Sequence, residues 1–246
     1  MKTLLPYEAA FYANNGDVTN KSALSILLYL AKTGYIRMEI RGKEVVLHRI
    51  KGYSGDQETA AFFDLLFRNE TQVSLMDLKE RRFWRELKII RKEIEQKYED
   101  GIDSRAATYK KDLKRFGVSL SISAIIIEFI SIMTGNIQMF IFSIIVLLLG
   151  IISVVKSESA CAIKEEHEAA LLNAQNFKKY IAENTKTEDL EDILPYAYAL
   201  DIHEEIIKKL GRRLSSISYI EGRKELRKED LIRLCREITK LSDFHL

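Results

Sequence analysis

His203-Glu204-Glu205-Ile206-Ile207 opens like HExxH, the pattern in which two histidines one helical turn apart hold zinc and the glutamate serves as general base. The second ligand position is Ile207, so the metal-binding pair is missing. Glu165-Glu166-His167-Glu168 sets one histidine among carboxylates, a pattern that reads as a solvated helix face, because metal sites need three or four converging ligands. The scattered glycines form neither a phosphate-cradling loop nor a dinucleotide fingerprint, and GxSxG does not occur. Cys161 and Cys235 belong to no CxxC pair; Cys161 lies where acylation could occur, though a plain interfacial cysteine is the simpler reading. These residues predict no enzyme, no cofactor, no metal site and no small-molecule substrate.

The elements around them are more informative. Between Phe116 and Val155 the only charged residue is Glu128, and the run is interrupted once, at Met133-Thr134-Gly135-Asn136. A helix needs ~20 apolar residues to cross a bilayer core ~30 Å thick, and this stretch supplies two such windows. The first, from Gly117 to Met133, carries Ser119, Ser121, Ser123, Ser131 and Glu128; the second, from Ile137 to Val155, is more apolar. A buried helical pair in a soluble core is the competing reading, but so short a chain leaves too little surface to cover it.

Lys110, Lys111, Lys114 and Arg115 precede the first window, Lys156 and Lys164 follow the second, and Thr134-Gly135-Asn136 carries no charge. Positive residues near span ends stay cytoplasmic, which predicts a multi-pass cell-membrane protein with both termini in the cytosol. Glu128 within a span could mark a transport path, yet it lies close enough to Gly135 for its carboxylate to reach headgroups. Few cysteines suit a reducing compartment, and Met1-Lys2-Thr3-Leu4-Leu5-Pro6 has no sustained apolar core of a signal peptide. The net charge of +2 divides into roughly +5 before the apolar run and roughly −2 after it, too mild for a nucleic-acid footprint.

The predicted organisation has four parts: 1–72, a small winged-helix-like α+β lobe; 73–115, an amphipathic helix and basic linker; 116–155, a transmembrane helical hairpin; and 156–246, a helical cytosolic lobe. The fold class is thus mainly α. In the first part a helix from Pro6 stops at Asn14-Asn15-Gly16, and a second, capped by Thr19 or Asn20, ends at Gly34. Tyr35–Ile40 and Glu44–Arg49 then form a β-hairpin about Arg41-Gly42-Lys43, and a helix follows from Asp56 to Phe67. Helix, helix and hairpin is the order of a winged-helix module, but the helix before the hairpin carries only Lys21 and Lys32 at its ends, which does not favour nucleic acid as a partner.

Phe83, Leu87, Ile90 and Ile94 predict one amphipathic helix from Leu75 to Tyr98, covering the first lobe or serving as a stalk or membrane-surface helix; Glu99–Ser104 is the expected linker. Beyond the apolar run a helix is expected over Ser159–Glu183, another with Pro195 in its first turn, and a charged helix at Lys228–Leu241.

Leu24…Leu27-Leu28-Tyr29-Leu30-Ala31-Lys32-Thr33-Gly34-Tyr35-Ile36, the apolar pair, Asn176-Phe177-Lys178-Lys179-Tyr180-Ile181 and Leu194-Pro195-Tyr196-Ala197-Tyr198-Ala199-Leu200 follow one another in a distinctive order. In this order the chain resembles, from Leu5 to Leu210, the C-terminal region of the YciQ-like predicted membrane proteins, domain-of-unknown-function family 2207. The resemblance implies a cytosolic lobe split around a membrane hairpin, with no assigned chemistry. Family proteins generally begin with a signal sequence and an exported β-rich domain, before the region resembled here. The usual glycine after the LPYA-x-AL run is Asp201, and the charged helix stands where a Gly/Ser-rich tail is expected. The resulting expectation is a non-enzymatic interaction or scaffold module, with the lipid bilayer and protein partners or self-association as its contacts. A membrane-bound DNA-binding regulator is the alternative, and an oligomeric transporter subunit the third reading.

Overall fold

The structure, a computed structural model, describes residues 4–42, 44–160, 162–211, 214, 217–222 and 226–243, with backbone alone at 158 and 159. Met1–Glu99 and Ala169–Leu246 make one compact unit, and Asp100–Glu168 makes a second.

The first unit starts with α1 (Pro6–Ala13) and α2 (Asn20–Lys32). Proline at the first helical position of α1 forfeits only an N–H that had no helical acceptor. Thr19 caps α2: its hydroxyl accepts from the Ser22 N–H at 3.0 Å. The α2 run Ala-Leu-Ser-Ile-Leu-Leu-Tyr-Leu-Ala is apolar on every side, as suits a helix surrounded by protein. Leu24, Ile26, Leu27, Leu28 and Leu30 are fully buried, and no residue of α2 is exposed. β1 (Ile36–Arg41) and β2 (Glu44–Arg49) form the expected hairpin, with Ile36 opposite Arg49 and Arg41 opposite Glu44. The alternating burial of β1 sends Ile36, Met38 and Ile40 inward.

Two strands were not read from the sequence. β3 (Gln72–Ser74) pairs antiparallel with β2, and β4 (Ile220–Glu221) pairs parallel with β1, giving the order β3-β2-β1-β4. Both are too short to display a period of two. Between β2 and β3, α3 (Gln57–Phe67) is capped by Asp56, whose carboxylate accepts from the Thr59 N–H at 3.0 Å.

The single helix expected over Leu75–Tyr98 is instead α4 (Leu75–Glu80) and α5 (Trp84–Lys97). Arg82 takes the left-handed φ of 60° at the break. The Arg81 guanidinium donates to the Leu65 and Leu66 carbonyls at 2.6 and 2.5 Å, and Phe83 turns inward, edge-on to Phe62 at 5.6 Å. Tertiary anchoring of Arg81 and Phe83 thus outweighs local helix propensity. Leu87, Ile90 and Ile94 line the buried face of α5, as their spacing predicts.

In the carboxy-terminal segment, α8 (Glu168–Asn184) starts later than the expected Ser159, because the helix of residues 137–159 continues to Ser159 and Ile163 stands in a β-bridge with Ile102. Pro195 lies inside α9 (Leu190–Ala199) rather than in its first turn. A proline there leaves the carbonyl four residues back without its helical donor. The Tyr219 hydroxyl supplies one, donating to the Glu191 carbonyl at 3.2 Å. After α10 (His203–Lys209) and β4, α11 (Lys228–Thr239) buries Leu231, Leu234, Cys235 and Ile238. Pairs across the segments include Tyr196 Oη donating to Leu4 O at 2.9 Å, Lys79–Glu237 at 2.8 Å and the Lys21–Asp201 ion pair.

The second unit is α6 (Ser104–Thr134) and α7 (Ile137–Ser159). α6 begins well before the apolar run, since Asp103 caps it by accepting from the Arg105 N–H at 2.8 Å, so the basic stretch Lys110–Arg115 is helical. Gly135, at φ 64°, ends α6 in the left-handed conformation, and Asn136 caps α7 through Gln138 N–H at 3.1 Å. At the opposite end Ile102 and Ile163 form an antiparallel bridge, with Asp103 N–H on Ala162 O at 2.8 Å and Lys164 N–H on Gly101 O at 3.0 Å.

Candidate functional site

The unusual chemistry of this chain lies on the outside of α6 and α7. Phe129, Met133 and Ile137 are 67%, 73% and 71% exposed, and Phe116, Ile122, Ile125, Ile141, Phe142, Ile145, Leu148 and Ile152 also point outward. A buried core pair would hide these side chains. Apolar surface this continuous marks a membrane or interaction face.

Between the helices runs a different set. On α6 the buried residues are Lys110, Gly117, Ala124 and Ser131; on α7 they are Ser143, Gly150 and Ser157. Both sets repeat every seven residues, which keeps one seam facing its partner in a left-handed antiparallel pair. From Gly117 to Ser131 on α6, and throughout on α7, the seam is made of small side chains, so that the backbones approach closely. A Cβ on Gly117 would lie 2.7 Å from Gly150 O, and one on Gly150 would lie 2.9 Å from Gly117 O.

The serines between the helices donate to nearby backbone carbonyls, Ser131 Oγ to Asn136 O at 2.7 Å in the turn that joins α6 to α7. Ser143 Oγ donates to Phe140 O at 2.7 Å, Ser157 Oγ to Val154 O at 2.6 Å and Ser121 Oγ to Gly117 O at 2.9 Å. Their hydroxyls are thereby compatible with an apolar surrounding. Glu128 is half-buried on α6, between Ala124 and Ser131 of the seam. The seven-residue spacing of small residues within each helix is the sequence signal of this seam, one that a count of apolar residues passes over.

The other candidates are structural. His203 is buried, 5.0 Å from the Tyr198 ring, and its Nδ1 has no hydrogen-bond partner among the described residues. Ile207 is buried in the core, while Glu204 pairs with Arg236 at 2.9 Å and Lys208 at 2.9 Å. His167 stands 4.0 Å from Glu166. Burial pushes the Cys235 thiol up to about 12, so it stays protonated and unreactive. Cys161 lies outside the described residues. Among the described residues no three of His, Cys, Asp and Glu converge as metal ligands would. A polar network around Tyr7 ties α1, α3 and α5 together: Tyr7 Oη donates to Asp56 at 2.8 Å, and Lys97 to Glu58 at 2.5 Å.

His203 makes a pH prediction. Burial first, then the Lys21 charge, lowers its pKa from 6.5 to about 4, with Arg236 acting in the same sense and Asp201 and Glu204 opposing. The unfolded chain therefore binds the extra proton between those values. Stability is complete above pH 6.5 and falls by up to about 3 kcal/mol as pH drops toward 4. Denaturant midpoints across this window check it; His203→Leu should flatten that part of the profile, and an unchanged slope would refute the assignment.

Residues 3–210 match the C-terminal domain of the DUF2207 predicted membrane proteins. The chain belongs to the DUF2207 family. The match includes α1 to α10 and all of α6 and α7, which among the described residues are the two helices long and apolar enough to cross a membrane. β4 and α11 of this DUF2207 chain lie beyond the matched residues. No curated protein matches the chain. No solved structure matches it either. DUF2207 is a family of unknown function, so its name assigns a membrane setting and no reaction.

Proposed function

We propose that this DUF2207 chain is a non-enzymatic, membrane-tethered interaction or scaffold module, held in the cell membrane by α6 and α7 as a hairpin with both flanks in the cytosol. The carrying observation is that the segments before and after the apolar pair fold into one unit. β4 pairs with β1, and α11 buries its apolar face in the same unit as α2. Segments on opposite sides of a bilayer cannot share a sheet, so the chain must cross an even number of times between them. The bridge of Ile102 with Ile163 also fits a chain that leaves the pair where it came in. Lys110, Lys111, Lys114, Arg115 and Lys156 near that end favour the cytosolic side.

The non-enzymatic part rests on how the polar groups are used: carboxylates and hydroxyls of the first unit hold helices to one another, as at Tyr7–Asp56 and Lys79–Glu237. The DNA-binding reading gains no support, since α2, the helix before the hairpin, has no exposed side chain to place in a groove.

Topology is testable with Thr134→Cys and tags at both termini. The chain should stay with membranes after carbonate extraction. Thr134→Cys should react with an impermeant maleimide added outside intact cells, while both tags are digested only in inverted vesicles. Labelling from the inside alone, or release by carbonate, would contradict this arrangement.

A further inference from the structure

We propose that the outer face of α5 and the residues leading into it, formed by Arg82, Trp84, Arg85, Lys88, Ile89 and Lys92, is a docking surface for an anionic lipid bilayer. The inference rests on the membrane anchoring proposed above and adds a second, peripheral contact in the first unit.

Charge on α5 is sorted by depth. Its exposed residues are Arg85, Lys88, Ile89, Lys92, Gln96 and Lys97, without a single acid, and Arg82 is exposed just before the helix. The acids are drawn inward or engaged: Glu86 is buried and pairs with Arg68, Glu95 pairs with Arg91 at 3.1 Å, and Glu93 is half-buried. Among the described residues Arg82, Lys88 and Lys92 have no carboxylate partner. At 100° per residue, Arg85, Lys88, Ile89 and Lys92 fall on one face, opposite Leu87, Ile90 and Ile94.

That face also carries apolar and aromatic surface. Ile89 is 54% exposed, and Trp84 is half-exposed with the Arg85 guanidinium 5.3 Å and the Lys88 ammonium 5.0 Å from its ring. Tryptophan between cations, beside an exposed isoleucine, suits the headgroup–acyl boundary, where phosphates meet the charges and the apolar side chains leave water. A nucleic-acid backbone would satisfy the cations but leave Ile89 against phosphate or solvent. Acids do occur nearby, at the exposed Asp77 and Glu80 of α4; Asp77 is already engaged as acceptor of the Ser74 N–H. Only Tyr98–Asp103 separates α5 from α6 along the chain, so the face is covalently tied to the apolar pair.

Trp84 is the sole tryptophan, and its emission reports on this face alone. The full chain would be reconstituted in nanodiscs of phosphatidylcholine, with or without phosphatidylglycerol. Emission should move to shorter wavelength and become quenchable by brominated lipid only with phosphatidylglycerol. The shift should reverse as salt rises from about 0.1 to about 1 M, where the Debye length falls from ~10 to ~3 Å. Arg85→Glu/Lys88→Glu/Lys92→Glu should abolish it, and the wild-type salt series decides the matter should that variant misfold. Identical emission in both discs, a shift insensitive to salt, or a shift produced by duplex DNA and not by phosphatidylglycerol would each overturn the proposal. If the chain elutes apart from both discs, the anchoring has failed, and cosedimentation with phosphatidylglycerol over phosphatidylcholine vesicles decides the surface on its own.

Discussion

Gly150→Leu is expected to force α6 and α7 apart. The added Cβ would meet Ser121 N and Gly117 O, each 2.9 Å away, and these are backbone atoms of the facing helix. No rotamer change relieves such a contact, so the helices must separate along the seam. Overpacking alone costs about 1–3 kcal/mol, and the separated helices also lose their neighbouring contacts. Thermal unfolding in detergent, followed by helical circular dichroism, should show the pair melting early. Ile151→Leu, on an adjacent exposed residue, should change little. Equal melting of the two variants would show that the close approach of Gly117 and Gly150 contributes nothing.

Ending the chain at Leu210 is expected to unfold the first unit, although the family match ends at the same residue. The cut removes β4 from the edge of β1 and all of α11. Leu231, Leu234, Cys235 and Ile238 are at most 1% exposed, so the truncated unit would lose their burial. At ~1.5–3 kcal/mol for each large apolar side chain, the loss is about 5–9 kcal/mol, which rivals a whole domain's stability of ~5–15 kcal/mol. The Tyr219 hydroxyl that serves the carbonyl freed by Pro195 is lost as well. Limited proteolysis should cut residues 4–99 rapidly in the truncated chain and slowly in the full one. Equal resistance would mean that the match marks an independently folding core.

Local signals carried well where one element decides its own conformation. Thr19 caps α2 and Asp56 starts α3 because a short side chain can reach the N–H three residues ahead, and that geometry needs no distant partner; Asp103, expected in a linker, caps α6 in the same way. The β1–β2 hairpin and the helix limits near Met133 and Ile137 follow from turn residues and apolar runs for the same reason. Prediction broke down where a distant group intervened. Arg81 is held by carbonyls at Leu65 and Leu66, Pro195 is tolerated inside α9 because Tyr219 reaches Glu191, and β4 exists only against β1. Each requires residues far apart in the chain to meet, which no window of sequence contains.

Two apolar stretches flanking Gly135, positive charge at their outer ends and the resemblance to the family the chain belongs to are all readable from the residues alone. Hydropathy and charge are sums over neighbouring residues, so they survive without any fold. The fold adds the pairing of β4 with β1 that joins the flanking segments, the packing seam made by the serines and glycines of α6 and α7, and the inward turn of the acids of α5 while its bases remain outside. Those facts depend on which faces meet, and faces are settled by long-range packing rather than by local composition.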